Sequence, residues 1–254
     1  MTIKKVWIRE DIFDWDGYRS SWTPNHKRIL ERPYEIWKHS AGLFKNKGDS
    51  DFHRADGISN LKRSINHRLQ SIENIYRFRT LQFSNKPKGS LELLEVFDLA
   101  RPYIVKQLFE LRNNIEHRDM QPPSKERCHE LLDIVWYFLK STDYLVQTVN
   151  SEGEFTLLSQ NGIETNYRFT FNLNYDDIDN STIAGWFPDE YIRYNETDGF
   201  ISIDLEEISG KEKWLGLESD YNKNKFDSDK WIKGYMKFED DSIVKPIKTM
   251  LSLS

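Results

Sequence analysis

Apolar positions recur every three or four residues over three stretches of the first 150 residues, which is the period of an amphipathic helix. The stripes are Ile58, Leu61, Ile65, Leu69, Ile72 and Tyr76; then Ile104, Leu108, Leu111 and Ile115; then Leu131, Ile134, Val135, Phe138, Leu139 and Leu145. Ser124 precedes the third stripe and is suited to cap its helix. Long amphipathic helices joined by short breaks predict a helical bundle over residues 52–150.

The pattern changes after residue 150 to short runs in which apolar and polar residues alternate. The runs "GEFTLLSQ", "NYRFTFNL", "GFISIDLEE" and "WIKGYMKFE" are separated by clusters of Asn, Asp and Gly. Period two between turn residues is typical of strands. Residues 151–254 are therefore predicted to form a small, mostly antiparallel β domain, and the fold class is α+β with the all-α bundle first.

The first 51 residues scatter Trp7, Trp15, Trp22 and Trp37 among charged residues, with one helix predicted around "PYEIWKHSAGLFK". Tryptophans beside basic residues can stack on nucleic-acid bases, but we favour the interpretation that they are buried aromatics that pack against the bundle. We interpret residues 1–51 as an aromatic-rich arm that packs on the bundle.

Charge is divided unevenly along the chain, whose net charge is -5. Residues 1–150 contain 25 Lys and Arg against 20 Asp and Glu, whereas residues 151–254 contain 11 against 21. The positive excess is concentrated between residues 52 and 90. A basic bundle can attract a polyanion that the acidic domain repels, although the same residues can also form an ordinary solvated helix face.

Several classes of protein are disfavoured by the composition. The single cysteine, Cys128, cannot form an internal disulfide and gives little support to a zinc site. No apolar run reaches the length of a signal peptide or a membrane span, and no glycine-rich phosphate loop is present. We therefore expect a cytoplasmic protein without a metal, a cofactor or a membrane partner.

The segment "FELRNNIEHRDMQPP" ends the second helical pattern and brings Arg112, Asn113 and His117 close together in sequence. On an ideal helix His117 and Asn113 face away from the apolar stripe, while Arg112 flanks it at about 140° from His117. The plain alternative is that Arg112 pairs with Glu116, and that His117 and Arg118 occupy a helix end where cations are favoured.

The run "LRNNIEHRD" resembles the signature of the HEPN superfamily, in which an arginine is followed directly by a polar residue and, four to six residues on, by a histidine. Arg112, Asn113 and His117 match that signature. The segment "ADGISNLKRSINHRLQSIENIYRF" resembles the long first helix of such domains, and the helix after "QPPS" resembles the closing one. The resemblance covers roughly residues 52–148 and none of the acidic domain.

The resemblance implies a metal-independent endoribonuclease, usually a homodimer whose two motifs face each other, and often a toxin or an antiviral defence effector. In such an enzyme His117 would move the proton of the RNA 2'-OH, Arg112 would stabilise charge on the phosphate, and Asn113 would hold the geometry. The products would carry a 2',3'-cyclic phosphate and a 5'-OH.

Further expectations concern the surfaces around this motif. Arg63, His67 and Arg118 are candidate RNA contacts, or else solvated helix residues. The acidic domain is expected to bind a regulatory protein or ligand, or only to provide solubility. The alternative function is a catalytically silent dimerisation or adaptor module whose β domain binds a ligand or partner protein.

Overall fold

The computed structural model describes residues 4–23, 27–45, 50–214 and 227–252. The chain divides into two compact units. A helical unit comprises Thr23–Thr80 and Pro87–Val149, and a sheet unit comprises Met1–Trp22, Leu81–Lys86 and Asn150–Ser254. None of the helices in the described ranges is long and apolar enough to cross a membrane.

The helices of the helical unit are α1 (Lys27–Lys45), α2 (Asp51–Tyr76), α3 (Ser90–Val96), α4 (Tyr103–Arg118), α5 (Lys125–Ser141) and α6 (Asp143–Gln147). All six positions of the stripe predicted for α2 are buried, which confirms that prediction. Ser124 caps α5 as expected, because its hydroxyl accepts a hydrogen bond from the backbone N–H of Arg127 at 3.3 Å. The predicted third helix is divided at Thr142 into α5 and α6. The Thr142 hydroxyl donates a hydrogen bond to the Phe138 carbonyl at 2.7 Å.

The apolar face of α4 differs from the expected one. Val105 and Leu108 are buried, with 3% and 0% of their surface exposed, whereas Ile104 is 48% exposed. Residues 104 and 105 are both apolar, so the sequence period allows either face, and packing of α4 against α2 selects the second. Arg112, four residues after Leu108, is consequently turned toward α2.

A buried ion pair joins four helices of this unit. The Arg68 side chain of α2 has no exposed surface, and its Nη2 donates to Asp143 Oδ1 at 2.8 Å at the start of α6. Arg68 Nη1 also donates to the carbonyl of Leu139 in α5 at 3.1 Å. The Tyr34 hydroxyl of α1 donates to Asp143 Oδ2 at 2.7 Å. These bonds fix how α2 is rotated against its neighbours.

The sheet unit contains β1 (Lys5–Arg9), β2 (Asp16–Trp22), β3 (Val149–Leu158), β4 (Glu164–Asn172), β5 (Thr182–Phe187), β6 (Ile192–Arg193), β7 (Phe200–Ser209) and β8 (Lys230–Lys237), followed by α7 (Val244–Leu251). The eight strands form one sheet in the order β2-β3-β4-β5-β8-β7-β1-β6. From β3 to β6 along this order every neighbouring pair is antiparallel. The protein is thus an α+β protein with an antiparallel sheet, and the four predicted strands are confirmed as β3, β4, β7 and β8.

Residues 1–51 do not form one arm on the bundle: α1 packs against α2 and α5 as part of the helical unit, whereas Met1–Trp22 belongs to the sheet unit. β1 pairs along β7, with Val6 opposite Ile203 and Ile8 opposite Ile201. Trp15 packs edge-on against Phe169 at 5.5 Å within the sheet unit. A five-residue strand gives too short an alternation to reveal a partner almost two hundred residues away. A boundary at residue 150 would therefore separate β1 and β2 from the strands that they pair with.

The strand β5 was also missed, because its residues do not alternate. Ile183, Trp186 and Phe187 are all buried, so both faces of this central strand are covered. Gly185 allows the close approach of β4, since a Cβ there would lie 2.4 Å from the Cα of Phe169.

The charge remains unevenly divided when the chain is split into the two structural units instead of at residue 150. The helical unit contains 20 Lys and Arg against 16 Asp and Glu, whereas the sheet unit contains 16 against 25. The helical unit is therefore the basic part of the chain.

We expect Arg68→Met to lower the free energy of unfolding by about 3–5 kcal/mol, because it removes the buried charge partner of Asp143. Among the described residues, only the Lys140 ammonium then remains near that carboxylate, at 3.5 Å and on a side chain that is 49% exposed. The matched control is Arg63→Met on the exposed side of the same helix, which should change stability by less than about 0.5 kcal/mol. Urea denaturation measures both. A cost for Arg68→Met no larger than that of the control would contradict the structural role of the pair.

Candidate functional site

The helix α4 carries Arg112, Asn113 and His117 in its last two turns. It remains helical through Arg118 and ends where Asp119 adopts a left-handed conformation with φ of 50°. Because the helix does not unwind between Arg112 and His117, the two side chains leave its axis about 140° apart. One chain alone does not direct both side chains to one point.

Arg112 and Asn113 belong to a polar cluster between α4 and α2. Arg112 forms an ion pair with Glu116, as the plain alternative anticipated. Its Nη1 lies 3.4 Å from Asn113 Oδ1. The Ser59 hydroxyl of α2 donates to Glu116 Oε1 at 2.8 Å, so the carboxylate is held from both helices.

Lys62 of α2 is also a member of this cluster, although no sequence pattern predicted a role for it. Its ammonium donates to Asn113 Oδ1 at 3.0 Å and lies 5.3 Å from the centre of the Phe109 ring. Burial lowers the pKa of Lys62, the nearby Arg112 charge lowers it further, and Glu116 acts in the opposite direction. The only sequence signal for this role was the position of Lys62 beside Leu61, at the flank of the α2 stripe. From such a position a lysine side chain can reach a neighbouring helix.

His117 lies on the opposite side of α4 from Leu108 and is exposed. Within the part of the chain that the structure describes, its imidazole has no hydrogen-bond or salt-bridge partner. The structure therefore brings Arg112 and Asn113 together with Lys62 and leaves His117 accessible from outside.

Arg63 and His67 lie on another side of α2. On an ideal helix they are about 100° and 140° from Lys62 around the axis. Burial lowers the pKa of His67, and the positive charges of Arg63 and of Arg32 in α1 lower it further. His67 therefore lies near Arg32 of α1, whereas Arg63 is exposed. Arg118 is exposed at the end of α4.

No group of three or more His, Cys, Asp or Glu side chains that could hold a metal ion occurs in the described ranges. Asp176 and Asp177 lie in a turn in which their backbone N–H groups donate to Asn174 Oδ1 at 3.0 and 3.1 Å. Cys128 is buried.

Two surface grooves lie elsewhere in the described chain. One, of about 560 Å³, is in the helical unit beside Tyr34, Trp37 and Trp136. The other, of about 600 Å³, is in the sheet unit beside Trp7 and Ser202. Neither of these two grooves is lined by Arg112, Asn113 or His117.

Compared with known proteins, the chain matches no family model, and no curated protein and no solved structure reaches significant similarity. We therefore infer a function from the chemistry and placement of the side chains.

We expect Arg112→Gln to raise the pKa of Lys62 toward its ordinary value, because the substitution removes a neighbouring positive charge and frees Glu116 to approach the ammonium. Arg118→Gln, which removes a charge from the exposed end of the same helix, is the control and should leave the Lys62 pKa unchanged. An NMR titration of the lysine Cε resonances measures both. Equal responses to the two substitutions would show that Arg112 and Lys62 are not coupled.

Proposed function

We propose that this protein is a cytoplasmic, metal-independent endoribonuclease of the HEPN type, acting as a toxin or antiviral defence effector. The observation that supports this most directly is the cluster of Arg112, Asn113 and Lys62 on a basic helical unit, with the exposed His117 one turn beyond Asn113. The HEPN-like order of Arg112, Asn113 and His117 supports the same reaction.

The chemistry required is modest because RNA carries its own nucleophile. Cleavage needs a group that takes the 2'-OH proton, positive charge for the phosphate, and a polar group that holds the geometry. His117 takes the proton as the 2'-oxygen bonds to phosphorus, and the bond from phosphorus to the 5'-oxygen breaks as that oxygen takes a proton from water. Arg112 presents a planar fork to the phosphate oxygens, and Asn113 orients the phosphate.

Two chains are needed to complete the site. The separation of Arg112 and His117 around one helix means that a phosphate bound by one cannot be reached directly by the other. In a two-fold homodimer, His117 of the partner subunit faces Arg112 across a symmetric basic cleft. Tyr103 and Ile104 at the start of α4 are 72% and 48% exposed, which supports a contact surface along this helix.

One observation favours the alternative of a catalytically silent dimerisation or adaptor module. Arg112 is already neutralised by Glu116, which is the arrangement expected of a simple helix end. In that case the sheet unit carries the function by binding a ligand or partner protein.

We also propose that the sheet unit is regulatory. Its excess of carboxylates repels the RNA phosphates and so lowers the attraction of RNA to the protein at low salt. A regulatory protein or ligand bound by this unit would change that restraint. Arg63, His67 and Arg118 are proposed to make secondary contacts with the RNA backbone.

We expect His117→Ala to abolish RNA cleavage without loss of stability, because an exposed side chain at a helix end contributes little to packing. His39→Ala, an exposed histidine of α1, is the matched control and should cleave normally. Arg112→Ala should also abolish cleavage, and it should cost some stability because the stem of Arg112 packs toward α2. A labelled single-stranded RNA and urea denaturation provide the two readouts. If both variants retain the wild-type rate, the assignment of the site is wrong.

We also expect the protein in solution to have about twice the mass of one chain. Light scattering coupled to gel filtration measures this directly. Mixing inactive His117→Ala with inactive Arg112→Ala should restore part of the activity, because heterodimers contain one intact composite site. A monomer that cleaves RNA, or a mixture that remains inactive after subunit exchange, would contradict the shared site.

A further inference from the structure

Two positive side chains from different helices share one amide oxygen on the surface of the helical unit. Lys62 Nζ lies 3.0 Å and Arg112 Nη1 lies 3.4 Å from Asn113 Oδ1. The two charges are close enough that Arg112 lowers the pKa of Lys62, after the larger effect of burial. Like charges held this closely favour the binding of an anion between them.

Glu116 supplies that anion within the chain. It is paired with Arg112, it accepts a hydrogen bond from Ser59 at 2.8 Å, and its charge raises the pKa of Lys62. The carboxylate therefore contacts Arg112, acts on Lys62 through its charge, and is held by a hydrogen bond from a second helix.

The Arg127–Glu130 pair on α5 shows what an ordinary pair along a helix looks like in this protein. Its side chains are 46% and 59% exposed, whereas those of Arg112 and Glu116 are 26% and 30% exposed. Solvent and salt therefore screen the Arg112–Glu116 pair less than the Arg127–Glu130 pair. Glu116 therefore competes more strongly with an incoming anion for Arg112 than Glu130 does for Arg127.

We propose that Glu116 occupies the place of a phosphate group and so restrains an oxyanion site formed by Arg112, Lys62 and Asn113. A carboxylate offers a guanidinium two oxygens in the same planar arrangement as a phosphate does. A phosphate must therefore displace Glu116 from Arg112 before it binds. For a free phosphate this inference stands alone, and its extension to RNA rests on the proposed function.

The restraint is local and differs from that proposed for the sheet unit. It acts through one carboxylate in contact with Arg112, so neutralising that carboxylate should release it at any salt concentration. A general effect of negative charge would instead decline as salt rises. Lys62 becomes a positioning residue of the proposed reaction, because it holds the Asn113 amide and adds positive charge beside Arg112.

The test is the affinity of the full chain for inorganic phosphate, followed by NMR on the Arg112 side-chain Nε–H. Glu116→Gln should bind phosphate about tenfold more tightly than wild type, which corresponds to about 1.4 kcal/mol. Glu130→Gln removes an equal charge from the exposed pair and should leave the affinity unchanged. Ser59→Ala, which loosens Glu116 without changing charge, should strengthen binding by a smaller factor, and it serves as the second variant if Glu116→Gln folds poorly. Unchanged phosphate affinity in Glu116→Gln and Ser59→Ala would overturn the proposal.

Cleavage of a single-stranded RNA by the same variants separates this inference from the proposed function. If the inference and the function are both correct, Glu116→Gln cleaves faster than wild type and Glu130→Gln does not. Tighter phosphate binding without RNA cleavage by any variant would leave the restrained oxyanion site standing and refute the ribonuclease. Cleavage that depends on His117 but is lost in Glu116→Gln would identify Glu116 as part of the reaction and overturn its role as a restraint.

Discussion

The buried ion pair between Arg68 and Asp143 is the constraint on which the helical unit depends. Removing two charges from water is costly, and only good geometry and additional hydrogen bonds offset that cost. Here the Leu139 carbonyl and the Tyr34 hydroxyl each add a hydrogen bond to the pair, so contacts from α1, α2, α5 and α6 meet at one point. The pair fixes the rotation of α2 as well as contributing to stability.

That rotation decides what the surface of α2 presents. Arg68 follows Lys62 by six residues, so the two lie about 9 Å apart along the axis and about 120° apart around it. When Arg68 is directed into the core, Lys62 and Ser59 are directed toward α4. The contacts of Lys62 with Asn113 and of Ser59 with Glu116 therefore follow from a buried interaction elsewhere on the same helix.

The sequence predicted those parts of the fold whose pattern is local and repeated. The long stripe of α2 and the cap at Ser124 required no knowledge of the neighbours. It placed Leu108 correctly on the buried face of α4 but chose Ile104 where Val105 is buried, because both are apolar and only the packing against α2 distinguishes them. The pairing of β1 with β7 was equally hidden, since the register joins residues at opposite ends of the chain.

The candidate site was predictable in part for similar reasons. Arg112, Asn113 and His117 are close in sequence and match a known order, so a short segment was enough to find them. Lys62 lies fifty-one positions before Asn113, and no spacing rule connects the two. The Arg112–Glu116 pair follows from spacing alone, but its anchoring by Ser59 does not. The structure thus adds the neighbours that turn a short motif into a cluster with a defined charge balance.

We propose that RNA is cleaved by attack of its own 2'-OH without a metal ion. The most direct measurement is the chemistry of the RNA ends produced by the full chain in the presence of EDTA, compared with a substrate that carries 2'-deoxy sugars. We expect a 2',3'-cyclic phosphate and a 5'-OH on every fragment, and no cleavage of the 2'-deoxy substrate. Fragments with a 5'-phosphate, cleavage of the 2'-deoxy substrate, or activity that EDTA removes would contradict that claim.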